Sequence, residues 1–440
     1  MIKIVGQKWS GKMKRKVIYK TCLVVLLMIS VSGLLFLSFS YVDNQIPNNI
    51  HLVINEKEEF DFSLPIEAEV VDGDVNVISI DQGKKINKDQ INFNFDEPFS
   101  MESNSLGEYK IALKLFGLIS YKTITVNVIE ETMVIPSGEP IGVYIESDGV
   151  MVLGTSSITG ADGQNYEPAL NLLKSGDYIT AINGESVQDK ELLIKKIQEC
   201  EEKEIKFDVR RENHVIQVSV TPVKSAEGDY KIGTWIRDNT QGIGTLTYVK
   251  TDGSFGALGH GITDVDTNLL MEINRGTLYN ALVLDIVRGE NGTPGEVVGT
   301  IQSGAGNDIG NISKNTNQGI FGKLNPANYR VNASKALPIG LKQDIKIGKA
   351  SILCSVEGSI KEYEIEIEKI QLNNKKQNKG LVIKITDPDL LKITNGIVQG
   401  MSGSPIIQDG KVIGAVTHVF IQDSTKGYGT FIENMLKTAE

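Results

Sequence analysis

Ser402 lies in Gly400-Met401-Ser402-Gly403-Ser404-Pro405. A serine between glycines sits on a tight turn, with its hydroxyl exposed and neighbouring backbone N–H groups free to converge on one point. A serine nucleophile needs both features. It also needs a base, because an unassisted hydroxyl attacks poorly. The chain has four histidines. His260 lies in Phe255-Gly256-Ala257-Leu258-Gly259-His260-Gly261-Ile262, a glycine-flanked turn that can expose a ring and pin it by backbone contacts. His418, in Ala415-Val416-Thr417-His418-Val419-Phe420, falls on an alternating strand, which favours a packed or cross-strand role but leaves it able to line a pocket. His51 lies in an N-terminal β-rich stretch and His214 in a turn between strands. A buried carboxylate that fixes the tautomer of the base completes such a set. Asp264, Asp266, Asp285, Asp387 and Asp389 all satisfy the order, and spacing does not choose among them. The plainer alternative is a Gly/Ser turn with a satisfied turn histidine.

The elements that must position these residues are strands. Pro405-Ile406-Ile407-Gln408, Asp409-Gly410 and Lys411-Val412-Ile413-Gly414-Ala415-Val416 read as strand, two-residue turn and strand. Residues 230–440 are rich in Gly, Val, Ile and Thr, and Tyr363-Glu364-Ile365-Glu366-Ile367-Glu368-Lys369-Ile370 alternates cleanly. The pattern predicts an all-β barrel or double barrel. A Gly-x-Ser-Gly-x-Pro turn entering a hairpin resembles the nucleophile region of chymotrypsin-like serine peptidases.

Upstream, residues 137–224 read as loop, strand, short helix from Pro168, strand 178–182, turn at Asn183-Gly184, helix 189–200 and a hairpin across Glu212-Asn213. With Gly176-Asp177-Tyr178-Ile179-Thr180-Ala181-Ile182-Asn183-Gly184 at its centre, this order resembles a PDZ domain. That resemblance implies that Ile141-Gly142-Val143 is the loop presenting N–H groups to a peptide's terminal carboxylate, with the peptide adding to the sheet as a strand. The bland alternative is a rigid spacer.

Residues 43–130 read as a small β-rich module with no evident chemistry. Residues 1–42 hold seven Lys/Arg and no Asp/Glu, so a whole-chain charge of −10 leaves −17 on the remainder. An acidic body argues against nucleic acid as the main partner. No charge interrupts residues 21–42, long enough for a bilayer-crossing helix. The preceding basic residues predict an uncleaved signal anchor with a cytoplasmic N-terminus and the body outside. With 40% hydrophobic and 23% charged residues, the rest can build ordinary cores. Cys22, Cys200 and Cys354 have neither metal-site nor disulfide-framework spacing and read as structural thiols. No metal or other cofactor is expected.

The anchor, the β-module and the PDZ-like segment, followed by Gly256-Ala257-Leu258-Gly259-His260-Gly261 and Gly396-Ile397-Val398-Gln399-Gly400-Met401-Ser402-Gly403-Ser404-Pro405-Ile406-Ile407-Gln408, resemble the stage IV sporulation protein B family of signalling serine peptidases. The resemblance implies a triad of His260, Asp387 (in Thr386-Asp387-Pro388) and Ser402. It implies an oxyanion hole from the N–H groups of Gly400 and Ser402. It further implies self-cleavage between anchor and PDZ segment, cleavage of a membrane-bound sporulation regulator, and a forespore inner-membrane location facing the intermembrane space. The resulting expectation is a mainly β chain: basic tail 1–20, transmembrane anchor 21–42, β-module 43–130, PDZ domain 131–225 and chymotrypsin-like peptidase domain 226–440. Two rival readings are a catalytically inactive membrane-tethered PDZ scaffold and a triad esterase.

Overall fold

The structure is a computed structural model that describes residues 3–72, 78–81, 92–212, 214–290, 292–304, 306–374 and 376–439. Met1 and Ile2 of the basic tail and Asn213 of the expected hairpin turn lie outside the described residues. The chain divides into two compact units, residues 1–130 and 131–440.

The first unit opens with the helix Lys3–Gln45, of which Val17–Asp43 is long and apolar enough to cross a membrane. A five-stranded sheet follows, in which Asn49–Val53 pairs in parallel with Ile119–Ile129. The alternation in Gly107–Leu115 puts Tyr109, Ile111 and Leu113 on one face. There they join Ile50, Leu52, Phe95 and Phe99 in one apolar core.

The second unit is built around two strand rings. Pro140–Thr155 pairs with Arg275–Val287, which pairs with Asp308–Thr316. That strand pairs with Gly319–Leu324, then Ser254–Ala257, then Thr234–Val249, which returns to Pro140–Thr155. Ile141, Val143, Ile145, Leu246, Leu278 and Ile320 fill this ring. The second ring is a closed barrel of Gly348–Cys354, Lys361–Ile370, Leu381–Ile385, Lys426–Phe431, Lys411–Val419 and Pro405–Gln408. Every second residue of Lys361–Ile370 points inward, so Tyr363, Ile365 and Ile367 meet Ile352, Ile383 and Ile406 in its core. Each such buried aliphatic side chain contributes about 1.5–3 kcal/mol over exposure. The two rings are the double barrel of the chymotrypsin-like fold.

Between the two halves of the first ring, the chain makes an excursion. Tyr178–Ile182 pairs with Val150 and Met151 and with Ile205–Arg211, which forms a hairpin with His214–Val220. The helix Lys190–Cys200 packs on this sheet through Leu193 and Ile197 and starts where the Asp189 carboxylate accepts the Leu192 N–H. The expected short helix at Pro168 is instead a run of turns. One strand, Pro140–Thr155, belongs to both the first barrel and this module, so the two share continuous backbone pairing.

Candidate active site

The turn carrying Ser402 is held by both barrels. Thr245, on a first-barrel strand, donates its N–H to the Ser402 carbonyl at 3.0 Å and its hydroxyl to the Gly400 carbonyl at 2.8 Å. Gly403 N–H donates to Val416 of the second barrel at 2.8 Å, and the Ser404 hydroxyl closes the turn onto Met401. Two glycines are required by geometry. Gly400 and Gly403 have φ of +100° and +98°, and a Cβ on Gly403 would stand 2.1 Å from the Thr245 carbonyl oxygen. Among the described residues, the N–H groups of Gly400 and Ser402 donate to no protein acceptor. This is the condition for receiving an anion.

His260 follows a kinked pair, Leu258 and Gly259, both at φ +69°. Asn315 ties down the loop after it, accepting from Ile262 N–H and donating to the carbonyls of Ile262 and Met271. The His260 Nδ1 lies 2.9 Å from the Gly261 carbonyl, so Nδ1 carries the proton and the neutral ring keeps its lone pair on Nε2. That is the tautomer a base needs to accept a hydroxyl proton. Burial holds His260 below the ordinary imidazole value, with the Gly261 carbonyl opposing.

Ser402, His260 and His418 line one cavity of about 530 Å³, together with Val143, Ile243, Leu258, Ile262 and Gly400. The ring centroids of His260 and His418 are 4.8 Å apart and tilted by 39°. Burial, then His260, then the Lys379 cation push His418 down to about 4. Its Nδ1 is buried without a hydrogen-bond partner among the described residues. The Ser402 hydroxyl does not face His260 but donates to the Thr417 carbonyl at 2.6 Å.

The expected carboxylate is elsewhere. Asp387 caps the helix Pro388–Thr394: its Oδ1 accepts the N–H groups of Asp389 and Leu390, and its Oδ2 accepts that of Glu364. It does not line the cavity, and among the described residues no carboxylate acts on His260. In this arrangement Asp387 serves as the helix cap, and it is not brought to His260. Proline at the first helical position and an aspartate before it form a strong local helix start, and that local demand takes up the side chain. The other four fare no better. Asp264 is consumed by Arg237 and Thr267, Asp266 by Arg237, and Asp285 accepts the N–H of Ile286, while Asp389 lies exposed in the first turn of the capped helix.

Ile141-Gly142-Val143 lie in a strand and not in a loop. These residues lie near the start of the strand Pro140–Thr155, with Ile141 and Val143 buried in the first barrel's core and the backbone paired on both sides, to residues 242–244 and 278–280. A strand with two neighbours offers no free edge to an added peptide. The sequence misled here because a glycine between aliphatics fits a loop and a buried strand equally. The carbonyls of Gly261 and Thr417, which hold the base and the nucleophile, carry no side-chain signal and were not legible.

Residues 228–436 match the family described as SpoIVB peptidase S55. The chain is similar to the regulator of sigma-W protease RasP of Bacillus subtilis (strain 168), at 29% identity over 183 residues, covering 39% of this chain and 41% of that protein. It thus spans about two fifths of that relative's length. Among solved structures, it is similar to the Rv3671c protease of M. tuberculosis in its active form, with 14% identity, 46% and 73% of the two chains covered and a TM-score of 0.23. It is also similar to the PDZ domain of the SdrC-like protein Lmo2051 of Listeria monocytogenes, with 23% identity, 20% and 87% covered and a TM-score of 0.17.

Proposed function

We propose, from the match of residues 228–436 to the SpoIVB peptidase S55 family, that the chain is a serine endopeptidase with Ser402 as nucleophile and His260 as base. The observation that carries this reading is the meeting of both side chains in one cavity, beside two uncommitted N–H groups at Gly400 and Ser402.

Reaction begins when the Ser402 hydroxyl leaves the Thr417 carbonyl and turns to His260. Its oxygen bonds to the substrate carbonyl carbon as His260 Nε2 takes the proton. The N–H groups of Gly400 and Ser402 hold the resulting oxyanion, a contribution whose loss typically lowers rate about 100-fold or more. His260 then returns the proton to the leaving amine, and the C–N bond breaks. Water, deprotonated by the same ring, hydrolyses the acyl-enzyme and restores Ser402.

The family's name supports a role in sporulation, and an N-terminal helix able to cross a bilayer supports action beside a membrane. On this reading, the body faces the space between forespore and mother cell. It cuts its own chain between the anchor and the PDZ-like module, then cleaves a membrane-bound regulator whose loss activates processing of a sigma factor precursor. The module around Lys190–Cys200 recruits peptide segments. The test is covalent labelling of the full-length chain, in detergent, by a fluorophosphonate probe, with N-terminal truncation followed by mass spectrometry. Labelling and truncation are both lost in Ser402→Ala. An unlabelled wild type, or truncation persisting in the variant, rules the reading out.

A further inference from the structure

In the first unit, the strands Gly107–Leu115 and Ile119–Ile129 form a hairpin that turns at Phe116-Gly117-Leu118. From Leu115 to Tyr121 the chain carries no charge, although Lys114 and Lys122 stand on either side. Leu118 is 87% exposed, and Phe116 and Ile119 are exposed beside it. Among the described residues of this unit that follow the helix, five large apolar side chains are exposed, and these are three of them. An exposed apolar cluster of this kind marks a surface that something covers. The backbone of the turn is already satisfied. Phe116, Gly117 and Leu118 donate their N–H groups to the carbonyls of Pro65, Lys114 and Leu115. A loop that leaves water needs such internal partners, because hydrocarbon offers none.

The hairpin runs alongside the helix Lys3–Gln45, toward its N-terminus. Thr125 pairs with Asn49. Lys122 binds Asp43 at 2.9 Å and donates to the Ile46 carbonyl at 3.0 Å. Tyr121 donates its hydroxyl to Asp43, and its ring packs edge-on against Phe39 with centroids 4.6 Å apart. Each step back along the strand thus meets an earlier part of the chain. Leu118 lies three residues beyond Tyr121, about 10 Å of strand and equal to about seven residues of helix. The turn therefore stands beside the uncharged run 21–42, short of its end at Asp43.

Resting on the reading of Val17–Asp43 as a membrane span, we infer that Phe116, Leu118 and Ile119 insert into the leaflet on the body's side of the bilayer, beside the span. The partner of this surface is lipid hydrocarbon. Tyr121 then lies at headgroup level, where an amphipathic ring is favoured. The charges flanking the turn are matched within the protein. Lys114 binds Glu69 at 2.8 Å, and Glu67, whose carboxylate approaches Gly117, acts on the same cation. Lys122 is held by Asp43. The β-module is thereby fixed to the membrane at two points, the span and the turn, and cannot swing freely on the helix end.

The test uses the full-length chain in phosphatidylcholine nanodiscs, with Ser402→Ala to keep it uncut. Reactive cysteines are introduced one at a time by Leu118→Cys, Leu106→Cys or Phe39→Cys in a Cys22→Ser, Cys200→Ser background, since Cys354 is buried. Each is labelled with the environment-sensitive fluorophore NBD. Phe39 lies in the span, whereas Leu106 is exposed at the end of Gly107–Leu115 away from the turn. At position 118 the emission shifts to the blue, is quenched by lipid spin-labelled near the headgroup end of its acyl chains, and is shielded from aqueous iodide. Position 39 is quenched by the same lipid. At position 106 iodide quenches and the lipid does not. The inference is overturned if position 118 behaves as position 106 does. It is equally overturned if position 118 is shielded from iodide yet unquenched by the spin-labelled lipid, which would mean that a second copy of the chain covers the turn. If position 39 escapes the lipid quencher, the membrane span itself is removed, a distinct result.

Discussion

Ser402 donates its hydroxyl to the carbonyl of Thr417, 2.6 Å away on the strand Lys411–Val419. Its neighbour in the cavity, His260, donates to its own chain at Gly261. Nucleophile and base therefore each rest on a backbone carbonyl. A substrate N–H that takes the Thr417 carbonyl would release the hydroxyl toward His260. A peptidyl phosphonate carrying such an N–H is then expected to label Ser402 faster than an alkyl phosphonate of matched intrinsic reactivity. One exchanged hydrogen bond, about 1 kcal/mol, corresponds to about five-fold in rate. Equal rates for the two probes would show that Thr417 does not restrain the nucleophile.

Asp387 makes a separate prediction, because a helix cap and a catalytic acid respond differently to substitution. With both carboxylate oxygens engaged by backbone N–H groups, Asp387→Ala is expected to destabilise the second barrel by about 1 kcal/mol, and Asp387→Asn by much less. Urea unfolding of the two variants, followed by the same probe, checks this. A large stability loss in the asparagine form would show that charge, and not capping, is what the fold needs.

The buried histidines set the pH dependence. His418 titrates at about 4 in the folded chain, against about 6.5 unfolded, and His260 is shifted in the same direction. As pH falls below the unfolded value, the unfolded chain binds protons that the folded chain refuses. Stability is thus whole above about pH 6.5 and declines as pH falls toward the folded value. The urea midpoint should drop between neutral pH and about pH 5, and His418→Phe should flatten that drop. Activity behaves in parallel: His260 remains neutral, and so able to accept a proton, below the ordinary imidazole range. The acid limb of the labelling rate is expected under about pH 6.5. A limb above that value would mean that the engaged state carries a carboxylate partner for His260.

Local signals in the chain were readable where a short segment decides its own structure. The Asp409-Gly410 turn joins Pro405–Gln408 to Lys411–Val419, and Asp189 begins the helix Lys190–Cys200, both as their residue types require. Alternation in Lys361–Ile370 marks its inward face. What escaped reading depends on distant partners. Pro140–Thr155 is one strand bridging barrel and module, yet Gly142 and Gly149 make it look like a loop and two pieces. Pairing with Thr234–Val249, about a hundred residues away, decides the matter. His418 reads as a packed strand residue, and so it is, but what it packs against is the other histidine. At Asp387, three-residue order cannot tell a helix cap from a catalytic acid, and the cap is what this arrangement shows. The Pro388 that follows it was the available warning.

The nucleophile turn offers the sharpest steric test, through two glycines of similar backbone conformation. Gly403 and Gly410 have φ of +98° and +76°. A methyl group on Gly403 would meet the Thr245 carbonyl at 2.1 Å and the Leu258 N at 2.6 Å, first-barrel backbone atoms that are hydrogen-bonded to each other. On Gly410 it would meet nothing within 4 Å. Both alanine variants carry the backbone penalty of a left-handed residue, about 1 kcal/mol. Only Gly403→Ala must also push the Ser402 turn away from Thr245, and with it the Gly400 and Ser402 N–H groups. Displacing an oxyanion donor is expected to lower the labelling rate about 100-fold or more. Gly410→Ala should keep wild-type labelling while losing that modest stability. Because the two substitutions share their conformational strain, equal labelling by both would show that the anchorage of the turn to Thr245 is irrelevant to the reacting geometry.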